Sequence, residues 1–73
     1  MRAIIVGYGI QGKKRERIAG GDCVGLVDPY AAAAKFKDIS QVPLDSFDAA
    51  LVCTPDSAKV PILTYLLQHG KHV

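Results

Sequence analysis

At 73 residues the chain is one small domain with a modest core. Its 49% apolar and 22% charged residues exclude intrinsic disorder, which needs low hydrophobicity and high net charge. A formal charge of +2 is too small to imply a nucleic acid or an anionic membrane as partner, and neither is expected.

Arg2 to Val6 is a short, almost wholly apolar run ended by glycine. Periodicity alone does not separate a strand from a helix piece here, but the β-branched content and the glycine stop favour a strand buried on both faces. Gly7 to Gly12 form a glycine-rich turn, Lys13 to Ala19 a short charged helix, and Gly20-Gly21 its stop. Cys23 to Val27 is a second apolar run, closed by Asp28-Pro29. Ala31 to Phe36 is alanine-rich and reads as about two turns of helix. Lys37 to Pro43 is ambiguous, with Ile39 or Val42 marking a short strand. Asp48 to Thr54 is a further buried strand, closed by Pro55. Val60, Ile62, Leu63, Leu66 and Leu67 share one face of a helix over Ser57 to His69, capped by Asp56 or Ser57. Its regular part is expected to start late because of Pro61. Gly70 stops it, and Lys71-His72-Val73 opens one more strand.

This alternation predicts an α/β fold, a Rossmann-like parallel sheet with helical crossovers, incomplete at about four strands and three helices, with residues 1–73 as one domain. No apolar run approaches the ~20 residues of a membrane helix. The stretch after Arg2 is broken by Gly7 and Gly9, unlike a signal peptide, so a cytoplasmic location is expected. Cys23 and Cys53 form no CxxC and read as free, packed thiols.

Gly7-Tyr8-Gly9-Ile10-Gln11-Gly12 matches G-x-G-x-x-G where a buried strand turns into a helix. Gly7 permits the tight turn, Gly9 lets a pyrophosphate approach the backbone, and Gly12 lets the helix sit close to the strand. Free N–H groups at the helix start then hold the phosphate charge. Asp28 lies 21 positions beyond Gly7, at the end of the second strand, where a carboxylate accepts from a ribose 2′-OH. It would repel a 2′-phosphate, and Pro29 and Tyr30 rather than an arginine follow it, which favours NAD over NADP. The run Lys13, Lys14, Arg15 and Arg17 reads as a solvated helix face. His69 reads as a helix C-cap and His72 as a strand residue; neither has the partners of a metal or catalytic site, and no catalytic or metal-binding residue is expected.

Three patches together resemble the N-terminal domain of the glucose–fructose oxidoreductase, inositol dehydrogenase and MocA-like family. They are Gly7 to Gly12, Val27-Asp28-Pro29, and Cys53-Thr54-Pro55 followed after a helix by Gly70-Lys71-His72-Val73. The first is shared by many dinucleotide folds; the last two together are more specific. The resemblance covers essentially the whole chain. It implies an NAD(P)-dependent oxidoreductase acting on a sugar, cyclitol or nucleotide-sugar alcohol, with Thr54 and Pro55 beside the nicotinamide side of the cofactor and Cys53 packed nearby. The family usually has His where Lys59 stands. Its stretch between the second strand and Asp48 is longer, so the second helix and third strand are expected to be vestigial. The family's Glu-Lys-Pro motif would follow Val73, so the chain reads as the front portion of a longer enzyme, itself inactive. The cofactor-binding residues expected are thus Gly7, Tyr8, Gly9, Ile10, Gln11, Gly12, Asp28, Cys53, Thr54 and Pro55. A non-enzymatic nucleotide sensor with the same glycine turn is the alternative; it has no need of the Thr-Pro turn or the Gly-Lys-His-Val ending. A methyltransferase-type S-adenosylmethionine site is a third reading, against which the Thr-Pro patch speaks. An uncovered sheet edge and apolar helix face predict a homo-oligomer.

Overall fold

The computed structural model describes all residues, Met1–Val73. Three strands and two helices make the frame: β1 (Ala3–Val6), α1 (Ile10–Ala19), β2 (Cys23–Val27), β3 (Ala49–Val52) and α2 (Asp56–Gln68). Single 3-10 turns lie at Gly20–Asp22, Ile39–Gln41 and Leu44–Ser46. The sheet order is β2-β1-β3, with both pairings parallel. β1 meets β3 in unbroken register, Ala3 opposite Ala49 to Val6 opposite Val52. On its other side Ala3 pairs with Cys23 and Ile4 with Gly25, so Val24 is an extra residue that bulges β2.

Alternation along β1 gives each face of the sheet its own helix. Ile4 and Val6 join Val27, Ala50, Ile39, Val42, Phe47 and Leu66 in the core, with Ile62 and Tyr65 of α2 packed against it. Ile5 points to the other face, where Gly12 of α1 comes close: a Cβ there would lie 3.4 Å from Ile5 Cγ2. Ile4, Ile5, Phe47 and Leu66 are fully buried, each contributing roughly 1.5–3 kcal/mol.

The N-terminal end of the sheet is tied by side chains. The Arg2 guanidinium donates to both oxygens of Asp48 (3.3 and 3.2 Å) and to the Asp45 carbonyl (2.9 Å). Lys71 Nζ donates to the carbonyls of Leu44 and Phe47, the latter at 2.7 Å, and sits 4.6 Å from the Phe47 ring centre. The chain leaving α2 is thereby fastened to the turn before β3.

The structure corrects the sequence reading in four places. Ala31–Phe36 is not a helix. Eight residues separate Val27 from Phe36, and Phe36 forms a parallel bridge to Val27, a return too short for a helical crossover of a dozen residues or more. The Asp28 carboxylate also takes the N–H groups of Tyr30 and Ala31, which turns the backbone instead of winding it. Ile39 and Val42 belong to no strand: Ile39 starts a 3-10 turn closed by an Asp38–Gln41 capping box, and both side chains enter the core. The sheet therefore has three strands, extended only by single bridges at Phe36 and at His72, which pairs with Ala49. α1 starts at Ile10, inside the glycine segment, with Gly9 as its N-cap. α2 starts at Asp56 behind Pro55, without a side-chain cap, and carries Pro61 inside it. Both cysteines are free. No helix is long and apolar enough to cross a membrane.

Candidate functional site

The three strands end side by side, and the segments that follow them wall a cleft of about 740 Å³. Gly7 and Gly9 come from the end of β1, Asp28, Pro29 and Tyr30 from the end of β2, and Cys53, Thr54 and Pro55 from the end of β3. Its size lies in the range of small-molecule sites, and its place outside the carboxyl ends of parallel strands is where α/β sheets bind ligands.

Two of the turn glycines are required by the fold. Gly7 has φ +95°, and a Cβ on it would lie 2.9 Å from the Cys53 carbonyl carbon and oxygen. A Cβ on Gly12 would lie 2.0 Å from the Gly7 oxygen, so α1 could not approach β1 with any other residue there. Gly9 differs. Its φ is −89°, and a Cβ on it would meet nothing within 4 Å. Neither a positive φ nor a close neighbour requires glycine at Gly9, the N-cap of α1; it lines the cleft with open space at its Cβ position.

The first helical hydrogen bond of α1 runs from Lys13 N–H to the Gly9 carbonyl (3.0 Å). The N–H groups of Gly9, Ile10, Gln11 and Gly12 precede it and have no acceptor in the chain. No acidic residue sits in the first turn to occupy them. With the positive end of the helix dipole, they form a place for an anion.

Asp28 does two jobs. Its Oδ2 accepts from Tyr8 N–H (2.8 Å), and its Oδ1 from Tyr30 N–H (2.7 Å) and Ala31 N–H (3.0 Å). These bonds, that of Tyr30 foremost and then that of Tyr8, hold its pKa below the usual carboxylate value, and Lys37 adds a smaller pull. Asp28 thus pins the glycine turn to the end of β2 as an anion, with a lone pair left over on Oδ2 for a hydroxyl.

The remaining expected residues are distributed unevenly. Cys53 lines the cleft, and its N–H is spent on the Val6 carbonyl (2.8 Å). Thr54 Oγ1 is buried and has no hydrogen-bond partner. Pro55 caps α2 on the rim. Tyr8, Ile10, Gln11 and Gly12 do not line the cleft. The Tyr8 ring turns back along α1, where its hydroxyl donates to Glu16 (2.6 Å); that bond raises its pKa. With its N–H taken by Asp28, Tyr8 has no free group for a phosphate. Ile10 is 77% exposed and Gly12 is buried, so neither presents a side chain to the cleft; their amides are the only groups they hold at the helix start. Gln11 lines a neighbouring cavity.

Sequence reading missed part of the wall. Lys37, Asp38 and Ile39 line the cleft opposite the glycine turn, and Lys37 Nζ donates to the Ala31 carbonyl (3.1 Å). Nothing local marks them; the short return from Val27 to Phe36 brings them there. Tyr30, 94% exposed on the rim, was visible as the residue after Asp28-Pro29 but carried no pattern of its own. No protein-family model, no curated protein and no solved structure matches this chain.

Proposed function

We propose that the chain binds a nicotinamide dinucleotide, NAD in preference to NADP, across the carboxyl ends of its strands. In this reading it is the cofactor-holding part of an oxidoreductase that acts on a sugar, cyclitol or nucleotide-sugar alcohol. The observation that carries the reading is the start of α1: four unpartnered N–H groups beside a glycine whose bare side opens into a cleft. The strand arrangement supports it. Counting the single bridges, the sheet runs Phe36, β2, β1, β3, His72, which is the 3-2-1-4-5 sequence of a doubly wound dinucleotide fold.

The residues present fit the group. The α1 amides take the pyrophosphate charge, and the bare face of Gly9 lets it come within hydrogen-bond reach. Asp28 fixes the turn in that shape and offers its remaining lone pair to the adenosine ribose, while its negative charge disfavours a 2′-phosphate there. Thr54 lines the cleft as well, with its hydroxyl buried and unpartnered. When bound, the nicotinamide supplies hydride transfer; the protein's part is to hold and orient it. Calorimetric titration of the full chain with NAD and with NADP tests the reading. Saturable NAD binding, at least about tenfold tighter than NADP, is expected. Absence of NAD binding removes the reading, and tighter NADP removes the role of Asp28.

A further inference from the structure

Lys37 is the only lysine or arginine that lines the cleft, and the grip on a dinucleotide described above does not use it. Its place is set from two directions. The backbone is braced by Gln41, whose Oε1 accepts from the N–H groups of Lys37 (2.7 Å) and Asp38 (3.3 Å), and Ile39, two residues on, is anchored in the core. The ammonium is held by Ala31. Nζ donates to the Ala31 carbonyl (3.1 Å), and the N–H of the same residue donates to Asp28 Oδ1 (3.0 Å). One residue thus ties the cation to the carboxylate assigned to the ribose.

The charge of Lys37 is not spent inside the chain. It forms no ion pair. Asp38 beside it accepts instead from the N–H (3.0 Å) and the hydroxyl of Ser40. Asp28 is occupied by the N–H groups of Tyr8, Tyr30 and Ala31. Its pKa is lowered first by the Tyr30 N–H and least by the charge of Lys37, which acts on it through space. An ammonium has three donors, so two remain once Ala31 is served.

Asp28 alone would make this end of the cleft repel a second phosphate. We propose that Lys37 turns it into a subsite for a phosphomonoester on the adenosine ribose, so that the chain takes a 2′-phosphorylated dinucleotide as a second, weaker cofactor. The inference rests on the dinucleotide reading and refines it: Asp28 sets the preference for NAD, and Lys37 limits how large that preference is. A lysine serves phosphate as a point charge, and the exposure of this one keeps the effect modest.

The test is calorimetric titration of the full chain, of Lys37→Gln and of Lys37→Arg with NAD and with NADP. NADP should bind the unsubstituted chain more weakly than NAD. Lys37→Gln should weaken NADP about fivefold further and leave NAD within about twofold. Lys37→Arg, which keeps the charge, should hold NADP at its original affinity. Salt gives a second readout that a merely structural role would not move. In Lys37→Gln only the repulsion from Asp28 remains, so added salt should narrow the gap between the two cofactors more than it does in the unsubstituted chain. No NADP binding, equal weakening of both cofactors by Lys37→Gln, or a gap that answers salt alike in both proteins would overturn the proposal; equal weakening would make Lys37 a brace for Ala31 alone. NAD binding with NADP indifferent to Lys37→Gln would remove this inference and leave the dinucleotide reading intact. Absence of NAD binding would remove both.

Discussion

At the N-terminal end of the sheet, Arg2 meets Asp48 and Asp45, and Lys71 meets the carbonyls of Leu44 and Phe47. At the C-terminal end, Thr54 Oγ1 meets nothing, and four amides at the start of α1 have no acceptor. The two rims belong to the same three strands, yet one spends its polar groups inside the chain and the other holds them in reserve. An unpaired buried polar group costs about 1–3 kcal/mol, so the orphan hydroxyl of Thr54 is a feature that folding alone does not explain. The closed rim reads as stability and the open rim as binding.

The sharpest contrast lies within the glycine turn. Gly12→Ala is expected to have the largest effect: a Cβ 2.0 Å from the Gly7 oxygen must push α1 off β1. Urea denaturation should show a loss of at least about 3 kcal/mol, or no cooperative transition at all. A well-folded Gly12→Ala protein would break the assignment of that glycine to packing.

On the closed rim, Lys71→Met should cost about 1–3 kcal/mol by orphaning the carbonyls of Leu44 and Phe47. Dinucleotide affinity should not change. A loss of affinity comparable to that from an open-rim substitution would erase the distinction between the rims.

Asp28→Ala sits between the two cases, because Asp28 accepts from Tyr8, Tyr30 and Ala31. It should cost about 1–2 kcal/mol in stability, as the loss of a capping carboxylate does, and weaken NAD at least about tenfold. Calorimetry and melting on the same sample separate the two losses.

Acid should act on both rims at once, with a smaller effect. Asp28 is held below its usual pKa of 3.8 by backbone N–H groups, first that of Tyr30, and Asp48 by its bond from Arg2. A carboxyl with a depressed folded-state pKa contributes stability above 3.8, and that contribution is lost as the pH falls through the depressed value. The urea midpoint should therefore drop as the pH falls below 3.8, and the drop should be shallower in Asp28→Asn and in Asp48→Asn. A midpoint indifferent to acid would remove both carboxylates from the stability account.

The frame was legible in the sequence where local signals and the fold agree. β1 and β2 could be read from apolar runs stopped by Gly7 and Asp28; α2 was legible as a helix, but not with the single apolar face expected, because Ile62, Tyr65 and Leu66 pack on the core while Val60 and Leu67 are exposed. The alanine run after Tyr30 failed because helix propensity lost to tertiary demand: Asp28 captured two of its neighbours' amides, and Phe36 was drawn to the edge of β2. Of the expected site residues, the three strand-end groups meet in one cleft; Ile10, Gln11 and Gly12 do not line it, and neither does Tyr8. Its ring is satisfied by Glu16 two turns along α1, an arrangement no motif encodes. Lys71 was noticed only as part of a signature, and its work as a clamp on Leu44 and Phe47 depends on a loop path that spacing does not reveal.

Gly9 offers the most direct test, because neither a positive φ nor a close neighbour requires glycine there: φ is −89° and its Cβ position is empty to 4 Å. Gly9→Val, measured by thermal melting and by calorimetric titration with NAD, should change stability by no more than about 1 kcal/mol. The same substitution should weaken NAD at least about tenfold by filling the phosphate's approach. Full NAD affinity in a folded Gly9→Val protein would contradict the account.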